Sequence, residues 1–219
     1  MTAQLTARHR PVLEQIGAAG VLPVAVISDA SLAPAVAGAL ASGGLPVIEV
    51  TLRTPAALDA IRALAGEPDL LVGAGTVTTA ANAKSAVAAG ARFLVSPGLD
   101  LNVVRAGLDL GVAVVPGVAT ATDLQVAASE GIDVVKLFPA GPLGGPAMVS
   151  ALAGPFPATR FIPTGGVTAQ SLEAYLQLEC VLAVGGSWLT PAAAQDARDF
   201  PAITTLARNA RAVVGRVRP

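Results

Sequence analysis

The chain has 219 residues, 53% of them hydrophobic and 13% charged, with a net charge of −1. That length suits one large α/β domain or two small ones, and near-neutrality with 3% aromatics supplies neither the basic field nor the stacking platforms that nucleic-acid binding uses. A single cysteine, Cys180, excludes an internal disulfide, and with a single histidine, His9, it argues against a transition-metal centre, so no metal or cofactor is expected.

Residues 1–10 are polar and lack the apolar core of a secretory signal, so a cytoplasmic location is expected. His9, between Arg8 and Arg10, reads as a solvated side chain. Segment 4–18 predicts a first helix. Residues 30–48 carry no charge and are about long enough to cross a bilayer. Pro34, Gly38, Gly43, Gly44 and Pro46 interrupt them, so they read instead as an Ala-rich helix, a turn and the start of a strand.

From there one rhythm repeats. Apolar runs begin near Val21, Leu45, Leu70, Arg92, Gly111, Asp133, Arg160 and Val181, about 19 to 27 residues apart. That is the repeat of a strand-plus-helix unit, and the near-continuous apolarity suits parallel strands buried on both faces. Asp29 with Ser31, Thr54 with Pro55, Thr122 with Asp123, and Thr168 predict helix starts. Gly43, Gly66, Gly90, Gly111 and Gly131 predict left-handed helix ends. Eight strands alternating with helices predict a closed (β/α)8 TIM barrel, one α/β domain over residues 1–219, with the extra N-terminal helix capping its bottom. A doubly wound open sheet is the alternative. The chain runs on for one helix after the eighth run, and no Gly-rich dinucleotide fingerprint follows the first, which favours the barrel.

In a barrel, chemistry collects at the carboxyl ends of the strands. The second run, Ile48-Glu49-Val50-Thr51-Leu52-Arg53, alternates with period two, so Glu49, Thr51 and Arg53 share one face. With the apolar face on the helices, that polar face points inward. It offers a carboxylate for proton transfer beside a guanidinium for an anionic group, or simply a structural ion pair. The third, fourth and fifth runs end in Gly73-Ala74-Gly75-Thr76, Ser96-Pro97-Gly98 and Pro116-Gly117-Val118. Glycine there lets a ligand approach the backbone.

The sixth run holds Lys136 among Val134, Val135, Leu137 and Phe138. A lysine there reaches water along its stem, pairs with a carboxylate, or gives up its proton. A neutral amine is a nucleophile that forms a Schiff base with a carbonyl. If the face of Val134, Lys136 and Phe138 is inward, Lys136 meets Glu49 across the interior, and repulsion from Arg53 favours the neutral amine. The last two runs end in Thr164-Gly165-Gly166 and Gly185-Gly186-Ser187. Paired glycines after strands seven and eight match the usual phosphate site of such barrels, built from backbone N–H groups and a helix N-terminus.

The ordered motifs IEVTLRT, GAGTV, SPG, PGVAT, KLFPA, PTGGV and GGSWL span nearly the whole chain. Together they resemble the 2-keto-3-deoxy-6-phosphogluconate aldolase family, class I enzymes that also cleave 4-hydroxy-2-oxoglutarate. The resemblance implies a Schiff base on Lys136 and acid/base work by Glu49. It implies a pyruvyl pocket of Arg53, Thr76, Pro97 and Thr164, Phe138 beside the imine, and a phosphate end at Gly165, Gly166, Gly186 and Ser187. It also implies a phosphorylated keto sugar acid as substrate, a homotrimer, no metal, no nucleic-acid or membrane partner, and a place in the Entner–Doudoroff pathway. Two departures stand out. Gly141-Pro142 follows KLFPA where the family often has an acidic residue. Thr164 stands where a relative acting on the galactonate epimer tends to have Val, which favours the gluconate substrate. The rivals are a metal- or diphosphate-dependent barrel enzyme, such as an epimerase or thiamin phosphate synthase, and a non-catalytic phosphate-binding barrel.

Overall fold

The computed structural model describes residues 2–218, with side chains from His9 onward. Nine parallel strand segments carry the architecture: β1 (Val21–Ala25), β2 (Val47–Thr51), β3 (Leu71–Gly75), β4 (Phe93–Val95), β5 (Ala113–Val115), β6 (Gly117–Val118), β7 (Val134–Leu137), β8 (Arg160–Phe161) and β9 (Val184–Gly186). Helix α1 (Thr2–Ala19) precedes them. Between them lie α2 (Ala33–Ser42), α3 (Ala57–Leu64), α4 (Ala80–Ala88), α5 (Leu101–Asp109), α6 (Ala121–Ser129), α7 (Pro146–Ala153) and α8 (Leu172–Leu176). Helices α9 (Ala192–Asp196) and α10 (Phe200–Val217) follow. This is an α/β fold with a curled parallel sheet. Among the described residues no helix is long and apolar enough to cross a membrane.

The pairing follows chain order, β5-β4-β3-β2-β1-β9 in one sheet and β6-β7-β8 in the other. The fifth apolar run, expected as one strand, divides at Pro116, which has no N–H to give a ladder. Its first half pairs with β4 and its second with β7. The Pro116 carbonyl still accepts from Lys136 N at 2.9 Å. Bridges Phe161–Val181 and Thr164–Gly185 join the β8 and β9 segments. The end of α1 borders one cavity together with residues 46–47 and 70–71, at the amino ends of β2 and β3.

Helix ends differ from expectation in detail. Thr54 caps nothing; its hydroxyl donates to Ile27 O, and α3 starts after Ala56. Thr120, not Thr122, caps α6, in a reciprocal box with Asp123. Thr168 and Ser171 hydrogen-bond each other ahead of α8. After α2 the left-handed residue is Gly44, not Gly43, and Gly66 is not left-handed. His9, expected in solvent, is 6% exposed. The residues beside it in sequence are polar, but its position on α1 carries it onto the body of the fold.

Arg218, after α10, binds a turn distant in sequence. Its guanidinium donates to the carbonyls of Leu176, Leu178, Val181 and Leu182, at 2.8 Å for Val181. These charge-assisted bonds satisfy the backbone between α8 and β9, a stretch too short for its own ladder. Arg218→Ala should cost about 2 kcal/mol or more, read as a melting point about 4–8 °C lower. Arg218→Lys should recover only part, because one ammonium cannot span the same carbonyls.

Cys180 packs half-buried against the core in the same region. Burial pushes its thiol up, outweighing a backbone hydrogen bond and the Arg160 charge, which pull it down. Thiolate is the reactive form, so alkylation of the folded protein at pH 8 should run slower than of the unfolded chain, as a thiol-reactive probe reads directly.

Candidate active site

A cavity of about 250 Å³ opens at the carboxyl ends of the strands. Its floor is set by β2 and β7, which face each other across the curled sheet. Ile48 and Val50 turn outward into the core, and Glu49 and Thr51 turn inward. Arg53, just past the strand, joins them at the cavity wall. From β7, Lys136 enters the same space with Val135 and Leu137 buried on the far side.

Lys136 Nζ lies 3.5 Å from Glu49 Oε1. Lys136 is 5% exposed and Glu49 1%, so water screens the pair little. The separation is an ion-pair contact but too long for a good N–H···O bond. Among the described residues neither Glu49 oxygen accepts a hydrogen bond. A buried carboxylate whose oxygens have an ion-pair contact but no hydrogen bond is costly for stability alone. It is, however, poised to exchange a proton with whatever enters. The Phe138 ring flanks the amine, its centroid 5.2 Å from Nζ.

Two small residues make this geometry possible. A Cβ at Gly75, on β3, would sit 2.0 Å from Glu49 Oε1, so only glycine leaves room for the carboxylate. A Cβ at Gly185 would fall 2.1 Å from Thr164 Oγ1. Thr76 follows Gly75 with φ 57, a left-handed conformation rare for a β-branched residue. Such strain persists where surrounding structure enforces it, commonly at functional sites. Thr76 lines the cavity together with Pro97 and Thr164.

At the outer end Gly165 and Gly166 have φ +88 and +75, and Val167 and Ser187 complete the rim. The loop after β7 is fastened to this turn by Ala140 N to Thr164 O and Gly141 N to Gly165 O, both 2.8 Å. The helices beyond, α8 and α9, have only five residues each, so the glycine turns rather than a long helix N-terminus stand at this end of the cavity.

Of the residues singled out in the sequence, Lys136, Glu49, Arg53, Thr76, Pro97, Phe138, Thr164, Gly165, Gly166 and Ser187 converge on this cavity. Gly186 does not. Its Cα faces the Trp188 ring, and Gly185 is the glycine on the cavity side. Reading the paired glycines as one motif missed the alternation of β9. Val24, Thr51 and Val167 also line the cavity. Thr51 was legible, since it shares the inward face of Glu49. Val24 carries no chemical signal in sequence.

The geometry matches a known lineage. Residues 12–206 match the family described as KDPG and KHG aldolase. A 2-dehydro-3-deoxy-phosphogluconate aldolase of Treponema pallidum is 45% identical over 93% of this chain and 98% of its own. The crystal structure of the Zymomonas mobilis 2-keto-3-deoxy-6-phosphogluconate aldolase with 3-phosphoglycerate superposes with a TM-score of 0.86 at 42% identity, covering 93% of this chain and 94% of that one. A Legionella pneumophila KDPG aldolase, solved with pyruvate captured as a covalent carbinolamine intermediate, has the same TM-score and identity over 89% of this chain and 95% of its own. With most of the chain matched, from α1 into α10, it belongs to the KDPG and KHG aldolase family.

Proposed function

We infer that this protein is a class I aldolase that cleaves 2-keto-3-deoxy-6-phosphogluconate reversibly to pyruvate and glyceraldehyde 3-phosphate. The observation that carries the mechanism is the buried Lys136–Glu49 pair, 3.5 Å apart, at the floor of a cavity, with carboxylate oxygens that accept no hydrogen bond among the described residues.

In this reading the Lys136 amine, its proton passed to Glu49, attacks the C2 ketone. Glu49 returns that proton to the carbinolamine hydroxyl, water leaves, and the protonated imine that remains is the electron sink for the C3–C4 bond. The Glu49 carboxylate takes the C4 hydroxyl proton, the C3–C4 bond breaks, and its electron pair forms the enamine. Glyceraldehyde 3-phosphate leaves. The enamine takes a proton at C3 from the Glu49 side, water adds at C2, and pyruvate departs with the amine restored. The iminium supplies the electrophile that a Lewis acid provides in other aldolases. Arg53, Thr76, Pro97 and Thr164 hold the pyruvyl end. Gly165, Gly166 and Ser187 take the phosphate end, next to Gly186 at the end of β9. Phe138 shields the imine. The same imine chemistry extends to 4-hydroxy-2-oxoglutarate, which shares the pyruvyl half and yields glyoxylate.

The finer architecture is part of the proposal. We read the curled sheet as a (β/α)8 barrel, one domain over residues 1–219, with β5 and β6 as halves of one strand and α1 as an extra helix across the bottom. The continuous neighbour order and the bridges between β8 and β9 support it. The family resemblance supports a homotrimer working in the cytoplasm in the Entner–Doudoroff pathway. Borohydride reduction in the presence of pyruvate tests the chemistry. A stable adduct on Lys136, found by intact mass and peptide mapping, is expected; its absence at saturating pyruvate in folded protein would overturn the imine mechanism.

A further inference from the structure

Thr51 lies at the carboxyl end of β2, 1% exposed, and is neither nucleophile nor acid in the mechanism above. Its hydroxyl donates to Ala25 O on the adjacent strand β1 at 3.1 Å. A threonine hydroxyl has one proton, so Oγ1 is left to act as acceptor. Arg53 Nε donates to it at 3.3 Å. The Arg53 backbone N–H also donates to Thr51 O at 2.8 Å, folding the chain back just past the strand. No carboxylate among the described residues forms an ion pair with Arg53, whose side chain is otherwise exposed. The hydroxyl is therefore what ties a long, mobile cation to the cavity wall.

We propose that Thr51 is a positioning residue: the Ala25–Thr51–Arg53 relay holds the guanidinium by Nε and presents its two terminal nitrogens to the carboxylate of the keto acid. The inference rests on the reading of Arg53 as the carboxylate partner. The tether orders the fork before substrate arrives, and a planar guanidinium gripped at Nε has only its Nη1/Nη2 edge left for a bidentate contact. An untethered side chain must be ordered on binding instead, a loss that weakens affinity. The strand register dictates the arrangement, since Ala25 pairs with Val50, next to Thr51.

The test compares Thr51→Val, which keeps the shape and removes both hydrogen bonds, with Thr51→Ser, which keeps the hydroxyl. Thr51→Ala serves if the valine variant does not fold. The readouts are the pyruvate concentration that half-saturates borohydride trapping, the steady-state KM and kcat for cleavage, and the NMR order of the Arg53 Nε–H. In Thr51→Val, half-saturation and KM should rise about three- to tenfold, kcat should stay within about twofold of wild type, and the Arg53 signal should become more mobile. Thr51→Ser should restore all three. Trapping in wild type with unchanged half-saturation in Thr51→Val would overturn the positioning role alone. So would a fall in kcat at constant KM. Failure of wild type to trap pyruvate at all would overturn the aldolase reading, and this inference with it.

Discussion

Lys136→Ala is expected to lose aldol cleavage by about 10⁴-fold or more, because among the described residues no other amine lines the cavity to carry the imine. Borohydride trapping of pyruvate should vanish in the same variant. Lys136→Arg is the sharper comparison. It keeps a cation beside Glu49, yet a guanidinium stays protonated and forms no imine. If activity depended only on a positive charge near the ketone, arginine would restore much of it. Restoration above about one per cent of wild-type kcat would count against nucleophilic catalysis. The proposed phosphate end is built from Gly165, Gly166 and Ser187 and does not use the Lys136 amine, so binding of glyceraldehyde 3-phosphate should survive in both variants. That retained binding separates lost chemistry from lost structure.

Glu49→Gln is expected to lower kcat for cleavage by about 10²- to 10⁴-fold with a small change in KM. Gln keeps the shape that Gly75 makes room for but cannot take a proton. Carbon–carbon cleavage and enamine protonation both need that proton, so both steps should slow together. Exchange of the pyruvate methyl protons in heavy water, followed by NMR, isolates the second step from the aldehyde partner. It should fall in parallel with kcat. The adduct on Lys136 should still form, more slowly, since the amine remains. Methyl exchange at the wild-type rate in Glu49→Gln would assign the proton transfer to another group. Among the described residues lining the cavity, only Glu49 carries a carboxylate.

Much of this site is legible in the amino-acid sequence. The strand-plus-helix rhythm and the bare apolar runs follow from local periodicity. The same periodicity placed Glu49, Thr51 and Arg53 on one face and Ile48 and Val50 on the other. A lysine set among Val134, Val135, Leu137 and Phe138 marks itself, because an apolar strand has no ordinary use for an ammonium. Where sequence reasoning slipped, the slip was local ambiguity that neighbours resolved. Thr120 and Thr122 are both plausible caps, and only the helix start chose between them. Gly185 and Gly186 read alike, and only the register of β9 against β1 turned one inward and the other onto Trp188.

By itself, then, the sequence determined the order of strands and helices, the inward faces and the pair of titratable groups that face inward. All of these depend on residues within a few positions of one another. The tertiary structure decided what depends on distant partners. Residues 49 and 136 come to 3.5 Å from opposite sides of the sheet. The buried setting of His9, the Arg218 clasp on four carbonyls and the relay from Ala25 through Thr51 to Arg53 are of the same kind. Each arises from curvature and register, which set distances between elements and leave no trace in the spacing along one of them.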